Sequence, residues 1–333
     1  MTSSQESVCV IIAAMNAADT IARAIRSALR EPQVREVVVI DDGSRDHTAE
    51  ASLDADDGTG RLRILRLEEN CGPAFARNQA IAHSTAPLIA ILDADDFFLP
   101  GRFGMMLMED DWDFVADNIA FIDARNAHIA HPIECFEPEP RFLDLAAFVE
   151  GNISRRGASR GEIGFLKPVM RRSFLDLHGL RYREELRLGE DYDLYTRALV
   201  RGARYKIIHS CGYGAIVRHD SLSGRHRTLD LKRLCEADRS ILDAENLPRR
   251  AQRALERHER HIRRRFELRR FLDEKRERGI VAAGVRALTR PAALPAIVGG
   301  IAGDKLEALR ARRRPLEEAA ATPRYLLPAR IAV

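Results

Sequence analysis

The chain has 333 residues, 45% hydrophobic and 31% charged, a composition that excludes wholesale disorder and suits one large α/β domain or a domain with an appendage. Its net charge of +3 hides a split: residues 1–150 carry 12 basic and 27 acidic groups, net −15, whereas 151–333 carry 41 and 23, net +18. An acidic part can hold cations, and a basic part attracts anionic lipid, nucleic acid or phosphorylated ligands. The five cysteines form no C-x-x-C pair, which speaks against a zinc site or a disulfide framework. The N-terminus reads as no signal peptide, and no apolar run reaches the ~18 residues of a spanning helix, so a cytoplasmic protein is expected, with any membrane met at its surface.

In chain order, Val8–Ala14 reads as a buried strand, followed by Asn16 and a helix over 19–29 with apolar positions Ile21, Ala24, Ile25, Ala28 and Leu29. A second strand over 37–40 ends in the turn Asp41, Asp42, Gly43, Ser44, and a helix starts near Thr48. A third strand over 62–67 leads to Asn70, Cys71, Gly72 and Pro73, a helix over 74–82, and a fourth strand over 88–92 that ends at Asp93, Ala94, Asp95 and Asp96. Strands alternating with helices predict right-handed crossovers and a largely parallel sheet. Asn16, Asp41 and Asp42, Asn70, and Asp93 to Asp96 each follow a strand, so one crevice at the carboxyl ends of the sheet is expected to hold the ligand.

Beyond Glu109 the pattern loosens, with a probable strand over 114–122 and a Pro/Glu-rich connection over 132–140, read as the wall that receives a second substrate. A helix over 191–200 and several short strands over 205–217 rejoin the sheet. From about Ser221 the chain becomes helical and basic, and residues 280–301 form an apolar stretch interrupted by Pro291 and Pro295 and bracketed by basic residues. That pattern suits the headgroup region of an anionic leaflet, and equally a helix set packed on the acidic first part or on a second copy, which leaves self-association open.

Asp93 and Asp95 on one strand end repel each other, and a hard divalent cation relieves that repulsion while sharing substrate phosphates. A bare Asp-x-Asp is more often a turn or a helix cap. Here it stands in a series: Val8–Ala14 with Asn16; Asp41-Asp42-Gly43-Ser44; Asn70-Cys71-Gly72-Pro73-Ala74-Phe75-Ala76-Arg77-Asn78; Asp93-Ala94-Asp95-Asp96; and Gly189-Glu190-Asp191-Tyr192-Asp193-Leu194 with Arg197. In order and spacing the series resembles the GT-A family 2 glycosyltransferases over roughly residues 8–227. The Asn-x-Gly-Pro block and Gly164-Phe165-Leu166-Lys167-Pro168 are similar to bacterial exopolysaccharide glucosyltransferases of the succinoglycan type.

The resemblance implies a catalytic domain over 1–227, its nucleotide-binding half about 1–110 and its acceptor-binding half about 111–227, with a helical basic region over 228–333. It implies that Asp42 reads the uracil of a UDP-sugar beside Asp41, that Ala13, Ala14, Asn16, Asn70 and Ala94 line the donor site, and that Asp93 lies near the ribose. Arg77 would close the nucleoside or diphosphate side, Arg225 would hold the diphosphate, and Asp95 with His219 would hold Mg²⁺ or Mn²⁺. Asp191 is implied as the general base of an inverting transfer of a hexose, glucose by the resemblance, with Glu190 as the alternative base. The acceptor would be a growing saccharide on a polyprenyl diphosphate carrier, with the enzyme peripheral on the inner membrane.

Two other readings stay open at this point. A sugar-phosphate nucleotidyltransferase would need a Gly-rich basic loop after the first strand, where Ala13-Ala14-Met15-Asn16 stands, and a non-catalytic binding protein of the same fold would be expected to lack the Asp-x-Asp or the base. Nucleic acid is not expected as a partner, because aromatic residues make up only 6% of the chain and do not interleave with its arginine runs. The family's processive members carry Gln-x-x-Arg-Trp, absent here, so one sugar per encounter is implied.

Overall fold

The computed structural model describes residues 7–123, 141–154, 162–217, 227–311 and 324–327. Strand β1 (Val8–Ala14) is buried on both faces along almost its whole length, which is why it reads as an unbroken apolar run. Helix α1 (Ile21–Leu29) turns its apolar stripe to the sheet, and β2 (Val34–Asp41) follows, three residues earlier in onset than the apolar run alone predicts. Then come α2 (Thr48–Leu53), β3 (Leu62–Arg66), α3 (Pro73–Ala82) and β4 (Leu88–Ile91). β1 pairs parallel with β2 and with β4, and β2 with β3, in a register that sets Ala14 beside Asp41. The expected parallel sheet is present in this part.

The second part adds β5 (Phe97–Phe98), α4 (Arg102–Met106), β6 (Phe114–Asp123), β7 (Arg141–Leu143), α5 (Leu145–Glu150), β8 (Val169–Arg171), α6 (Arg172–Leu177), α7 (Glu190–Val200) and β9 (Tyr205–Val217). The sheet runs β3-β2-β1-β4-β8-β6-β9-β5, with β8 antiparallel to both its neighbours and β5 antiparallel to β9. In place of the several short strands expected over 205–217 there is one strand of 13 residues, β9, parallel to β6 with register shifts between Ala116 and Ile119. Those shifts let one long strand bend.

Under this part lies a sealed ion pair. Arg102 and Asp117 are 0% and 1% exposed, joined at 2.8 Å, with the guanidinium over the rings of Phe98, Phe103 and Tyr213. Asp117 also accepts the Gly212 N–H at 2.6 Å, and a Cβ at Gly212 would come within 2.4 Å of the Arg102 Cγ, so only glycine fits.

The chain then forms α8 (Thr228–Ala244), α9 (Arg249–Leu288), α10 (Leu294–Ala311) and a two-residue strand β10 (Arg324–Tyr325). In the first turns of α9 the buried positions Ala251, Ala254, Leu255, His258, Glu259 and Ile262 form one stripe at helical spacing, and this helix packs on α5 and α8. At Gly279, φ of 85° breaks the helix, a position open to glycine and costly for other residues. β10 returns to the sheet and pairs antiparallel with Phe121 and Ala120 of β6, and the Asn118 side chain brackets Leu327 through its N–H (2.8 Å) and its carbonyl (2.9 Å).

Candidate active site

The carboxyl ends of β1, β2 and β4, the start of α7 and the walls of α8 and α9 enclose a cavity of about 560 Å³. Ala13, Ala14, Met15, Asp42 and Asp93 line it from the ends of the parallel strands, Asn70 and Arg77 from the loop after β3 and from α3, and Glu190 and Asp191 from α7. Thus the sequence motifs do converge on one crevice.

Its centre is a knot of charge. Arg77, on α3, donates from Nη2 to Asp93 (2.9 Å) and from Nη1 to Glu190 (2.8 Å) and Asp191 (3.3 Å). Lys167 donates to the other oxygens of Asp93 and Asp191, both at 2.9 Å. Burial opposes the charge on Asp93, yet Lys167 and Arg77 outweigh it and hold that carboxyl at about 2. Burial pushes the Glu190 carboxyl up against the pull of Arg77. Two cations therefore face three carboxylates beside an open space.

α7 brings Glu190 and Asp191 here because Gly189 turns the chain with φ of 73°, leaving the acidic pair in the first helical turn, where the dipole favours them. Asp42 accepts the N–H groups of Cys71 (2.7 Å) and Gly72 (2.8 Å) and the Asn70 amide (2.9 Å), which fixes its carboxylate at the cavity edge. Asn70 is in turn held by Arg187 at 2.9 Å.

Some expected residues stand outside the cavity lining. Asp41 is wholly buried and accepts the Ser44 N–H at 3.0 Å, so it shapes the turn after β2. Asn16, at φ of 50°, donates its N–H to Ser44 Oγ and accepts the Arg45 N–H, both at 2.9 Å, tying two loops together. Ala94 and Asp95 follow Asp93 without lining the cavity, and His219 and Arg225 lie outside the described residues.

Among the described residues no group of three or more His, Cys, Asp or Glu side chains closes around a point that could hold a metal. Asp93 is committed to Arg77 and Lys167, and Asp96 accepts from the Tyr213 hydroxyl (2.8 Å) and the Ile216 N–H (2.9 Å). Burial, reinforced by Asp93 and Asp95, pushes Asp96 up to about 8, which reports the crowding of carboxylates that a cation relieves. These carboxylates do not close a cage by themselves, and only a hard cation that takes most of its ligands from phosphate and water would suit them.

Sequence reasoning missed Lys167, quoted in a matched segment without a role, and the wall opposite the strands. There Leu234 of α8 and His258, Ile262 and Arg265 of α9 complete the lining, with Asn152, Glu162 and Phe165. Tyr192 stacks on His258 at 4.2 Å and donates to Asp238 at 3.1 Å, while His258 Nδ1 and Asp238 Oδ2 lie 2.7 Å apart. The spacing of buried residues along α9 carried this signal under its many arginines.

A mixed sheet that gathers carboxylates at the ends of its parallel strands is the architecture of the GT-A glycosyltransferases. S. aureus TarS 1-349 in complex with UDP-GlcNAc shares the fold with a TM-score of 0.59 at 18% identity, over 88% of this chain and 79% of that one. A mannosyltransferase of Pyrobaculum calidifontis in complex with GDP-Man and Mn2+ shares it with a TM-score of 0.51 at 19% identity, over 92% and 81%. The family description Glycosyl transferase family 2 matches residues 9–177, and the chain is 66% identical over 309 residues to the succinoglycan biosynthesis protein ExoU of Rhizobium meliloti, 92% of this chain and 90% of that protein. The chain belongs to glycosyl transferase family 2 and is a glycosyltransferase.

Proposed function

We propose that this enzyme transfers a hexose, glucose by its resemblance, from a UDP-sugar to a hydroxyl of a growing saccharide in succinoglycan-type exopolysaccharide synthesis, with inversion at the anomeric carbon. The observation that carries the reading is Asp191, held by Arg77 and Lys167 across one cavity from Asp42. The 66% identity to a succinoglycan biosynthesis protein supports the pathway class. A polyprenyl diphosphate carrier for the acceptor, and an enzyme working from the cytoplasm, follow as part of the same reading.

Asp42 offers a fixed acceptor to the uracil N–H, with Ala13, Ala14 and Asn70 around the base; Asp41 and Asn16 hold the loops that shape this end. Asp93 and Ala94 would serve the ribose, Arg77 the nucleoside or diphosphate side, and Arg225, outside the described residues, the diphosphate. Asp95, with His219, would hold Mg²⁺ or Mn²⁺, which supplies positive charge to the departing UDP. Asp191 accepts the acceptor's hydroxyl proton as that oxygen bonds to C1 and the C1–O bond to UDP breaks with its electron pair, leaving UDP. The paired cations orient the base, and Glu190 is the alternative base. Residues 1–110 serve the nucleotide, 111–227 the acceptor, and 228–333 add wall residues from α8 and α9.

Asp191→Asn should bind UDP with Mg²⁺ or Mn²⁺ as the parent chain does, while transfer, read by mass spectrometry of acceptor saccharides, falls by ~10²–10⁴. A chelator should abolish UDP binding in both. Turnover within a few-fold of the parent would remove Asp191 as the base.

A further inference from the structure

Beyond Gly279 the chain changes character. Ile280, Val281, Val285 and Leu288 on the last turns of α9, and Val298 on α10, are exposed, although each is large and apolar. Val281, Val285 and Leu288 recur at helical spacing and so share one face. On α10 the opposite side is used for packing, with Ile297 buried and Gly300 set against Leu268 of α9.

The surface itself is basic, and the acid at its border, Glu274, pairs with Arg278 (3.6 Å) and Arg286 (3.2 Å), leaving Arg290, Lys275 and Arg276 around it. From Arg278 to Gly303 there is no Asp or Glu, while Arg278, Arg286 and Arg290 are all exposed, and Lys275 and Arg276 stand just ahead. A second copy would bring the same cations face to face, which disfavours self-association through this patch. Among the described residues no single helix is long and apolar enough to cross a membrane, and the pair that reaches that length only together is bent by 109°, with Arg286 inside its first apolar stretch and Arg290 at the bend. A bent apolar surface with a basic rim suits a position in the interface.

We propose that the end of α9 and α10 form a docking surface for an anionic membrane, the apolar side chains entering the acyl boundary and the arginines meeting lipid phosphates. The purpose, access to a carrier-linked acceptor, rests on the function proposed above; the surface itself does not. Each cation near an anionic leaflet adds to the attachment, which is reversible and weakened by salt.

The test is flotation of the full chain with phosphatidylcholine vesicles, with and without phosphatidylglycerol, alongside light scattering and UDP calorimetry. The parent should float with the anionic vesicles at low salt and less at high salt. Val281→Ser, Val285→Ser and Leu288→Ser together, all at exposed positions, should lower partitioning at least about tenfold while UDP binding is retained. Absence of flotation at low salt, unchanged flotation of the triple variant, or a dimer that the triple variant dissolves would each overturn the proposal. Loss of UDP binding by the parent would instead strike the function proposed above and leave the surface standing.

Discussion

Arg102 and Arg77 are both arginines buried against carboxylates, and the difference between their settings separates structure from chemistry. Arg102 meets one carboxylate, Asp117, at 0% and 1% exposure, donates also to the Lys167 carbonyl at 2.6 Å, and is packed among aromatic rings. Arg77 meets Asp93, Glu190 and Asp191 at the edge of a cavity, with Asp93 one-third exposed at 33%. The first arrangement is closed and neutral. The second has an excess of negative charge and room beside it, which is what a site for a sugar nucleotide and an incoming hydroxyl needs. Burial of charge alone does not mark function, whereas unequal pairing next to open space does.

The contrast can be broken at several points. Arg102→Met should produce the largest loss of stability, ~3–5 kcal/mol by chemical denaturation, because Asp117 is left buried without a cation. Replacing both partners, Arg102→Met with Asp117→Leu, should recover a substantial part of that loss. Arg77→Met should cost less, ~1–2 kcal/mol, since water in the cavity and proton uptake can relieve the three carboxylates. Transfer activity should nevertheless fall further in Arg77→Met than in any folded fraction of Arg102→Met. If the two single variants lose equal stability, the cavity does not distinguish the clusters.

Lys167→Met should have the smallest effect and the sharpest readout. Asp93 is held at about 2, below its ordinary value of 3.8, so the unfolded chain takes up its proton first as pH falls. The stability from its pairs is complete above 3.8 and is lost as pH falls toward 2. Removing Lys167 should raise the Asp93 midpoint by about one unit in carbon-detected NMR and move acid unfolding to higher pH. An unmoved midpoint would show that Arg77 alone sets it.

The donor side of the site was legible because buried parallel strands read as apolar runs, and the polar residues just after them must lie at one sheet edge. Asp42, Asn70 and Asp93 were found in that way, whereas Arg77, inside α3, and Asp191, at a helix start, came from the resemblance of their motifs. Lys167 was not, because a single lysine before Pro168 has no period to read, and its partners come from β4 and α7, far along the chain. The α9 wall was hidden for another reason: its buried stripe is thin and its arginines make the helix look solvated. Strand β10 has two residues, too few for any alternation. The pairing of Arg102 with Asp117 arises only when α4 is laid against β6.

The return of the chain to the sheet also orders events during synthesis. Asn118 on β6 and Leu327, which it brackets, are separated by 209 positions. At ribosomal rates, this interval takes ~10–40 s, during which Ala120 and Phe121 present an open strand edge that β10 has yet to cover. Open edges are templates for pairing with other chains. The nascent enzyme therefore has its parallel strands ready to fold long before its sheet is sealed, and crowding or haste in expression should act first on that uncovered edge.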